Sequence, residues 1–206
     1  DKLIKTTGAH GVNIAEQRLD DLDKMAINYV RDFAGEVIAY HNDPEICARG
    51  MTVVYDLGCG SGRVSKEMRS KAFVSETQIT PATAVVPVDI HIDPKLKQAF
   101  GWYSGFKVPL KINLRQGVKV TPETGIIDVI YSQRTLHYLR YNEALNLFKE
   151  LGKAMMVGGR VFISATGLDT EIGKAHPHRD RHISRRFAKV SEDMAGHHNI
   201  HAPICP

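Results

Sequence analysis

Val53-Val54-Tyr55-Asp56-Leu57-Gly58-Cys59-Gly60-Ser61-Gly62-Arg63 is the stretch that decides how the rest of this chain is read. The apolar run over residues 51–55 is short, partly β-branched and followed at once by glycines, which is the pattern of a buried parallel strand ending in a tight turn. Gly58, Gly60 and Gly62 can take positive φ and let the backbone approach a ligand, while the helix that follows offers free N–H groups at its start. That is a nucleotide-binding turn. Its spacing is G-x-G-x-G, whereas the dinucleotide fingerprint is G-x-G-x-x-G. Asp56, two residues before the first glycine, would repel a pyrophosphate and would accept hydrogen bonds from a cationic amino group. The ligand implied is therefore not a dinucleotide.

The segment Asp56-Leu57-Gly58-Cys59-Gly60-Ser61-Gly62 resembles the first motif of the class I S-adenosylmethionine-dependent methyltransferases. The resemblance implies an α/β fold: a Rossmann-like, doubly wound, mostly parallel sheet with helices on both faces and an N-terminal helical cap. It also implies S-adenosyl-L-methionine as cofactor, held by Asp56, Gly58, Cys59, Gly60 and Gly62. A glycine turn with no ligand is the rival. It leaves three glycines at a helix start without a reason, each weakening it by about 0.5–1 kcal/mol relative to alanine.

Composition narrows the class. A chain of 206 residues has the length of one domain, or of one domain with a cap, and can bury a sizeable core. With 43% hydrophobic and 24% charged residues it reads as an ordinary globular protein, and a net charge of +4 gives no licence for nucleic-acid binding. Cys47, Cys59 and Cys205 are odd in number and lack metal spacing, so free thiols and a reducing compartment are expected. No run approaches the roughly 18 apolar residues of a membrane span, and the start lacks a signal-peptide core, so the expected location is the cytoplasm.

Residues 1–13 read as a loop or arm. From Ile14 a helical pattern begins, with Leu19, Leu22, Met25, Ala26, Tyr29, Val30, Phe33 and Val37 on one face. The break His41-Asn42-Asp43-Pro44 follows, so residues 1–48 form an arm and helical cap and residues 49–206 the binding domain. A helix is predicted over 63–72 and a second strand over 84–89. Asp89, at the tip of that strand, stands where a Rossmann-type sheet directs an acid toward ribose hydroxyls, and one carboxylate can accept from two of them. Asp93 is a competitor for that role, but with Pro94 it reads as the cap of the next helix. Pro87 is unusual for a central strand. The resemblance extends to a second motif over 85–90, which implies that Ile90 contacts adenine.

A short helix over 94–100, an aromatic loop over 101–109 and a weak strand over 111–114 come next. The family carries an acid after this strand; here Gln116 stands there. Residues 125–131 are a clear strand, and its continuation Ser132-Gln133-Arg134-Thr135-Leu136-His137-Tyr138-Leu139 resembles the fourth motif. That implies Ser132 and Gln133 against the cofactor. His137 is the candidate proton acceptor, since an ordinary imidazole titrates near 6.5, with a packed, hydrogen-bonded histidine as the alternative. Asn142 is expected to cap a helix carrying Leu145, Phe148, Leu151 and Met155, with Gly158-Gly159 ending it before a strand over 160–164.

In residues 166–206 the antiparallel strand pair usual for the family is not found, and is expected to be missing. A helix is predicted over 184–195. His176, His178, His182, His197, His198 and His201 match no standard metal spacing, so no metal is expected. Arg179, Arg181, Arg185, Arg186 and Lys189 form a basic cluster that reads as a solvated face, or as a site for an anionic substrate or RNA phosphate.

The function expected is methyl transfer from S-adenosylmethionine to a small-molecule acceptor. The alternatives are a non-catalytic S-adenosylmethionine-binding regulatory or interaction domain, and a nicotinamide-dependent oxidoreductase. The acceptor and the oligomeric state are open.

Overall fold

The computed structural model describes residues 19–39, 52–72, 83–100, 109–118, 127–193, 196 and 202–206. The expected arm over 1–13, the break at 41–44, the aromatic loop over 101–108, and Cys47, His197, His198 and His201 lie outside the described residues.

Among the described residues five strands, β1 (Thr52–Leu57), β2 (Thr83–Asp89), β3 (Leu110–Lys111), β4 (Ile127–Ser132) and β5 (Met155–Ile163), pair in the order β3-β2-β1-β4-β5. Every pair is parallel. Among the described residues the helices are α1 (Asp21–Ala39), α2 (Arg63–Ala72), α3 (Pro94–Phe100), α4 (Tyr141–Ala154) and the short α5 (Glu171–Ala175).

Strand side chains alternate between two faces, and both faces here are apolar. Val54, Val85, Val129 and Tyr131 point to one face, where α1, α2 and α3 contribute Ala26, Val30, Met68, Leu96 and Phe100. Tyr55, Leu57, Val86, Val88 and Ile130 point to the other and meet Leu147 and Leu151 of α4. The sheet is thus covered on both sides, which makes this a doubly wound, Rossmann-like α/β fold. From β1 the sheet grows through β2 to β3, and the chain then returns to lay β4 on the opposite side of β1. The order reverses between β1 and β4, and ligands of open α/β sheets bind beyond the strand ends at such a point.

Pro87 is accommodated by its direction. The carbonyl of its neighbour Val88 faces β1 and accepts from Gly58 N–H, whereas that of Asp89 faces β3 and accepts from Ile112 N–H. Alternation turns Pro87 toward the β3 side, where among the described residues the ladder is Val88–Leu110 and Asp89–Lys111. Its missing N–H therefore falls outside the pairing of the described residues.

Several boundaries differ from the expected ones for local reasons. Helix α1 starts at Asp21, because Asp20 N–H donates to Asp23 Oδ2 at 2.9 Å and Asp23 N–H to Asp20 Oδ1 at 3.0 Å, a reciprocal cap. The strand expected over 111–114 is only Leu110–Lys111, since Asn113 Oδ1 accepts from Arg115 N–H at 3.1 Å and opens a 3-10 turn over Leu114–Gln116. Helix α4 is capped at Arg140, whose N–H donates to Glu143 Oε2 at 2.7 Å, and Asn142 lies inside its first turn.

Gly158 and Gly159 do not end the helix. It stops at Ala154, and both glycines lie within β5, where Gly158 has φ +86° and the register steps from Ile127–Met155 to Val129–Arg160. The helix expected over 184–195 does not run through its first half. Ile183–Arg185 is a single 3-10 turn, after which Ala188 is extended and pairs antiparallel with Ile204. Among the described residues no helix is long and apolar enough to cross a membrane.

Candidate functional site

The glycine turn is locked to its neighbours by main-chain bonds. Gly58 and Cys59 N–H both donate to the Val88 carbonyl, at 2.7 and 3.1 Å, and Gly60 N–H donates to Asp89 Oδ2 at 2.9 Å. Asp89 Oδ1 accepts from His91 N–H at 3.0 Å, so this carboxylate ties the β2 tip to the turn; Ile90, half-buried, follows it. Two of the glycines are dictated by packing as well as by φ. A Cβ on Gly58 (φ +73°) would fall 2.1 Å from Thr135 Oγ1, and one on Gly62 (φ +71°) would fall 2.2 Å from Leu96 Cδ1. Gly58 thereby brings the β1 turn against the loop that leaves β4. The Cys59 thiol is pushed far up by burial, then by the charges of Asp56 and Asp89, so it stays protonated.

Beneath the turn the polar groups are carboxylates. Asp56 is 2% exposed and accepts from Ser65 Oγ at 2.5 Å. Burial raises its pKa to about 7 against the Ser65 hydrogen bond, and the charges of Asp89 and Asp23 push the same way as burial. Across the ladder from Asp56 stands Tyr131. The Tyr131 hydroxyl donates to Asp23, which is fully buried, and the Gln133 amide donates to Asp20. Asp23 is held above the usual carboxylate range by burial, with the Tyr131 hydrogen bond and the Arg63 charge opposing. Tyr131 is raised by burial and by its bond to Asp23. Ser132 is fully buried, and its hydroxyl donates to the Leu57 carbonyl at 3.1 Å.

Asp20, Asp23 and Tyr131 are the residues of this site that the sequence did not single out. The acid-rich start Asp20-Asp21-Leu22-Asp23 ahead of an apolar period is a helix-start signal, and it explains the cap but not the contact with β4.

His137 sits in a 3-10 turn over Leu136–Tyr138 and is 4% exposed. Its Nδ1 lies 3.2 Å from Thr166 Oγ1, its ring centroid 4.3 Å from that of Tyr138, and its carbonyl accepts from Cys205 N–H at 2.7 Å. Burial, and then the Arg134 charge, lowers its pKa to about 4, so the ring is neutral and weakly basic at neutral pH. Arg134 itself has φ +50°, with its N–H on Ser164 Oγ at 3.1 Å.

The basic stretch of the tail is drawn onto the body. Phe187 lies under both Arg115 and Arg140, each guanidinium 5.4 Å from the ring centroid, and Arg186 Nε donates to the Arg181 carbonyl at 2.8 Å. Among the described residues no group of three or more His, Cys, Asp or Glu is placed to hold a metal ion.

The arrangement gathers Asp56, the turn 58–62, Asp89, Ser132 and Gln133 at the reversal of strand order, and closes it with the start of α1. Its side-chain chemistry is acidic, which suits a ligand carrying positive charge and hydroxyl groups.

No protein-family model matches the sequence, and a search of the curated proteins finds no match. Among solved structures the chain is similar to a sugar N-methyltransferase from a Streptoalloteichus species, at 15% identity and TM-score 0.43, over 73% of this chain and 51% of that one. It is similar to an S-adenosylmethionine-dependent methyltransferase from Clostridium acetobutylicum at 14% identity and TM-score 0.47, over 75% and 54% of the two chains. A third similar structure is the plantazolicin methyltransferase BpumL in complex with a triazolic analogue and SAH, at 12% identity and TM-score 0.45, over 78% and 53%. The chain spans about half the length of each of these structures.

Proposed function

We propose that this chain binds S-adenosylmethionine and transfers its methyl group to a small-molecule acceptor, in the cytoplasm. The observation that carries the reading is the acidic character of the groups around the glycine turn: Asp56 lies beneath it, Asp20 and Asp23 meet the tip of β4 beside it, and Asp89 stands at the β2 tip where ribose hydroxyls would lie. These residues fit a ligand with an ammonium, a sulfonium and ribose hydroxyls. They do not fit a pyrophosphate, which weighs against a nicotinamide enzyme.

When bound, S-adenosylmethionine supplies an electrophilic methyl group on a positively charged leaving group. The chain's own part is orientation. Asp89 has a lone pair left on each oxygen for ribose hydroxyls while Gly60 and His91 N–H groups hold it still. The turn 58–62 fixes where the ligand's main body lies, and Ile90 offers half-buried apolar surface beside it. Ser132 holds the tip of β4 to β1, and Gln133 joins that tip to the cap.

A second reading, a domain that binds S-adenosylmethionine without turnover, draws on His137. A neutral ring with a pKa near 4, packed on Thr166 and Tyr138, is a poor general base. We assign His137 a structural role. Acceptors that need no deprotonation during attack remain available to the enzyme reading.

The test is calorimetric titration with S-adenosylmethionine, S-adenosylhomocysteine and NAD, on wild type, Asp89→Asn and Asp89→Ala. The expected result is binding of both sulfur compounds but not NAD, weakened about 10- to 100-fold by Asp89→Ala and less by the isosteric change. Failure of both sulfur compounds to bind, or binding of NAD alone, overturns the proposal. Release of S-adenosylhomocysteine with an acceptor pool separates enzyme from binding domain.

A further inference from the structure

The cap helix does more than cover the sheet: its first turn sends a carboxylate to the tip of β4. Asp23 is fully buried, takes the hydroxyl proton of Tyr131 in a hydrogen bond, and lies close enough to Asp56 and Arg63 for their charges to register on one another. Tyr131 stands across from Asp56 in the β1–β4 ladder, at the reversal of strand order where the crevice of an open α/β sheet lies. Asp23 Oδ2 accepts from Asp20 N–H and completes the reciprocal cap, while its Oδ1 turns to the Tyr131 hydroxyl, so one carboxylate joins the start of α1 to the tip of β4.

We infer that Asp23 is a specificity-determining residue that makes the site favour the charged methyl donor over its uncharged product. The inference rests on the proposed function, because it concerns the same site. S-adenosylmethionine and S-adenosylhomocysteine differ by one methyl group and one positive charge at sulfur. Size separates them weakly; charge separates them strongly where water is excluded. A buried carboxylate beside the crevice stabilises the sulfonium form and has no counterpart interaction with the thioether. Product release is eased by the same asymmetry.

The groups facing Asp23 are Asp20 on its own helix, Asp56 of β1, Arg63 of α2 and Tyr131 of β4. Arg63 opposes the field of Asp23, Asp56 adds to it only as it loses its proton near pH 7, and Tyr131 holds the carboxylate in place.

The test compares the dissociation constants of S-adenosylmethionine and S-adenosylhomocysteine by calorimetry in wild type, Asp23→Asn, Asp23→Ser and Asp23→Glu, with thermal melting as the check of folding. Both neutral variants keep a polar side-chain oxygen in the first turn, so one can serve if the other fails to fold. The neutral variants are expected to lose about tenfold in affinity for the sulfonium compound and to stay within about twofold for the thioether. Asp23→Glu is expected to keep the wild-type ratio. Equal weakening of both compounds in a folded neutral variant, or an unchanged ratio, makes Asp23 a purely structural tie and overturns the inference. Failure of wild type to bind either compound is a different result, and overturns the proposed function.

Discussion

On the β1–β2 side of the crevice the ties are main-chain N–H groups: Gly58 and Cys59 to Val88, and Gly60 and His91 to Asp89. On the β4 side they are side chains from distant parts of the sequence. Tyr131 reaches Asp23 across 108 positions, and Gln133 reaches Asp20 across 113. The first side is one βαβ unit folding on itself, while the second forms only when α1 docks. The same contrast holds for protons. Burial makes Asp56, under the turn, keep a proton to about pH 7, and makes His137, in the β4 loop, refuse one down to about pH 4.

The largest effect is expected where the two sides touch. Gly58→Ala places a Cβ inside Thr135 at a φ that alanine adopts only under strain, and should lower stability by about 3 kcal/mol in urea unfolding. Adding Thr135→Ala should restore part of that loss, because Oγ1 and Cγ2 are the nearest atoms met. If Gly58→Ala alone is neutral, the two sides are not in the contact described.

The pH dependence separates them next. For Asp56 the unfolded chain releases its proton near 3.8 and the folded one near 7, so its contribution to stability falls as pH rises from about 4 to 7. For His137 the unfolded chain takes up a proton below 6.5 and the folded one only below about 4, so its contribution rises with pH between about 4 and 6.5. The two slopes oppose each other in wild type. Asp56→Asn should leave a stability that rises with pH between 5 and 6.5, and His137→Asn one that falls, each by about 1–2 kcal/mol. Parallel profiles in the two variants would erase the contrast.

The smallest effect tests whether the β4 side depends on side chains as described. Thr166→Val removes the hydroxyl near His137 Nδ1 and should cost about 1 kcal/mol in thermal unfolding, with no change in ligand affinity.

What the sequence showed of this molecule follows the same division. The glycine turn, Asp89 and the two-faced strands were legible because each is a local pattern: a spacing, an acid at a strand tip, an apolar run. Gly158-Gly159 misled because glycine both ends helices and permits irregular strands, and only the register of β4 and β5 decides between them. The stretch 184–195 carries helix-forming residues, yet at Ala188 the partner Ile204 holds it extended. Asp23 and Tyr131 could not be joined from sequence, since neither is unusual where it stands and only the docking of α1 makes them meet. His137 was a candidate on its ordinary basicity, and burial is what removes that basicity.

Residues 204 and 205 are fastened by main-chain bonds as well as by the burial of Ile204 against Val190, Tyr138 and Ile172. Cys205 N–H donates to the His137 carbonyl, and Ala188 and Ile204 exchange N–H and carbonyl bonds at 3.1 and 2.9 Å. Bonds of that kind do not register which side chain the residue carries. Most substitutions at position 205 therefore lose only the 3.5 Å contact of Sγ with the Ile183 carbonyl and keep the main-chain bond, whereas proline, which has no N–H to give, loses both.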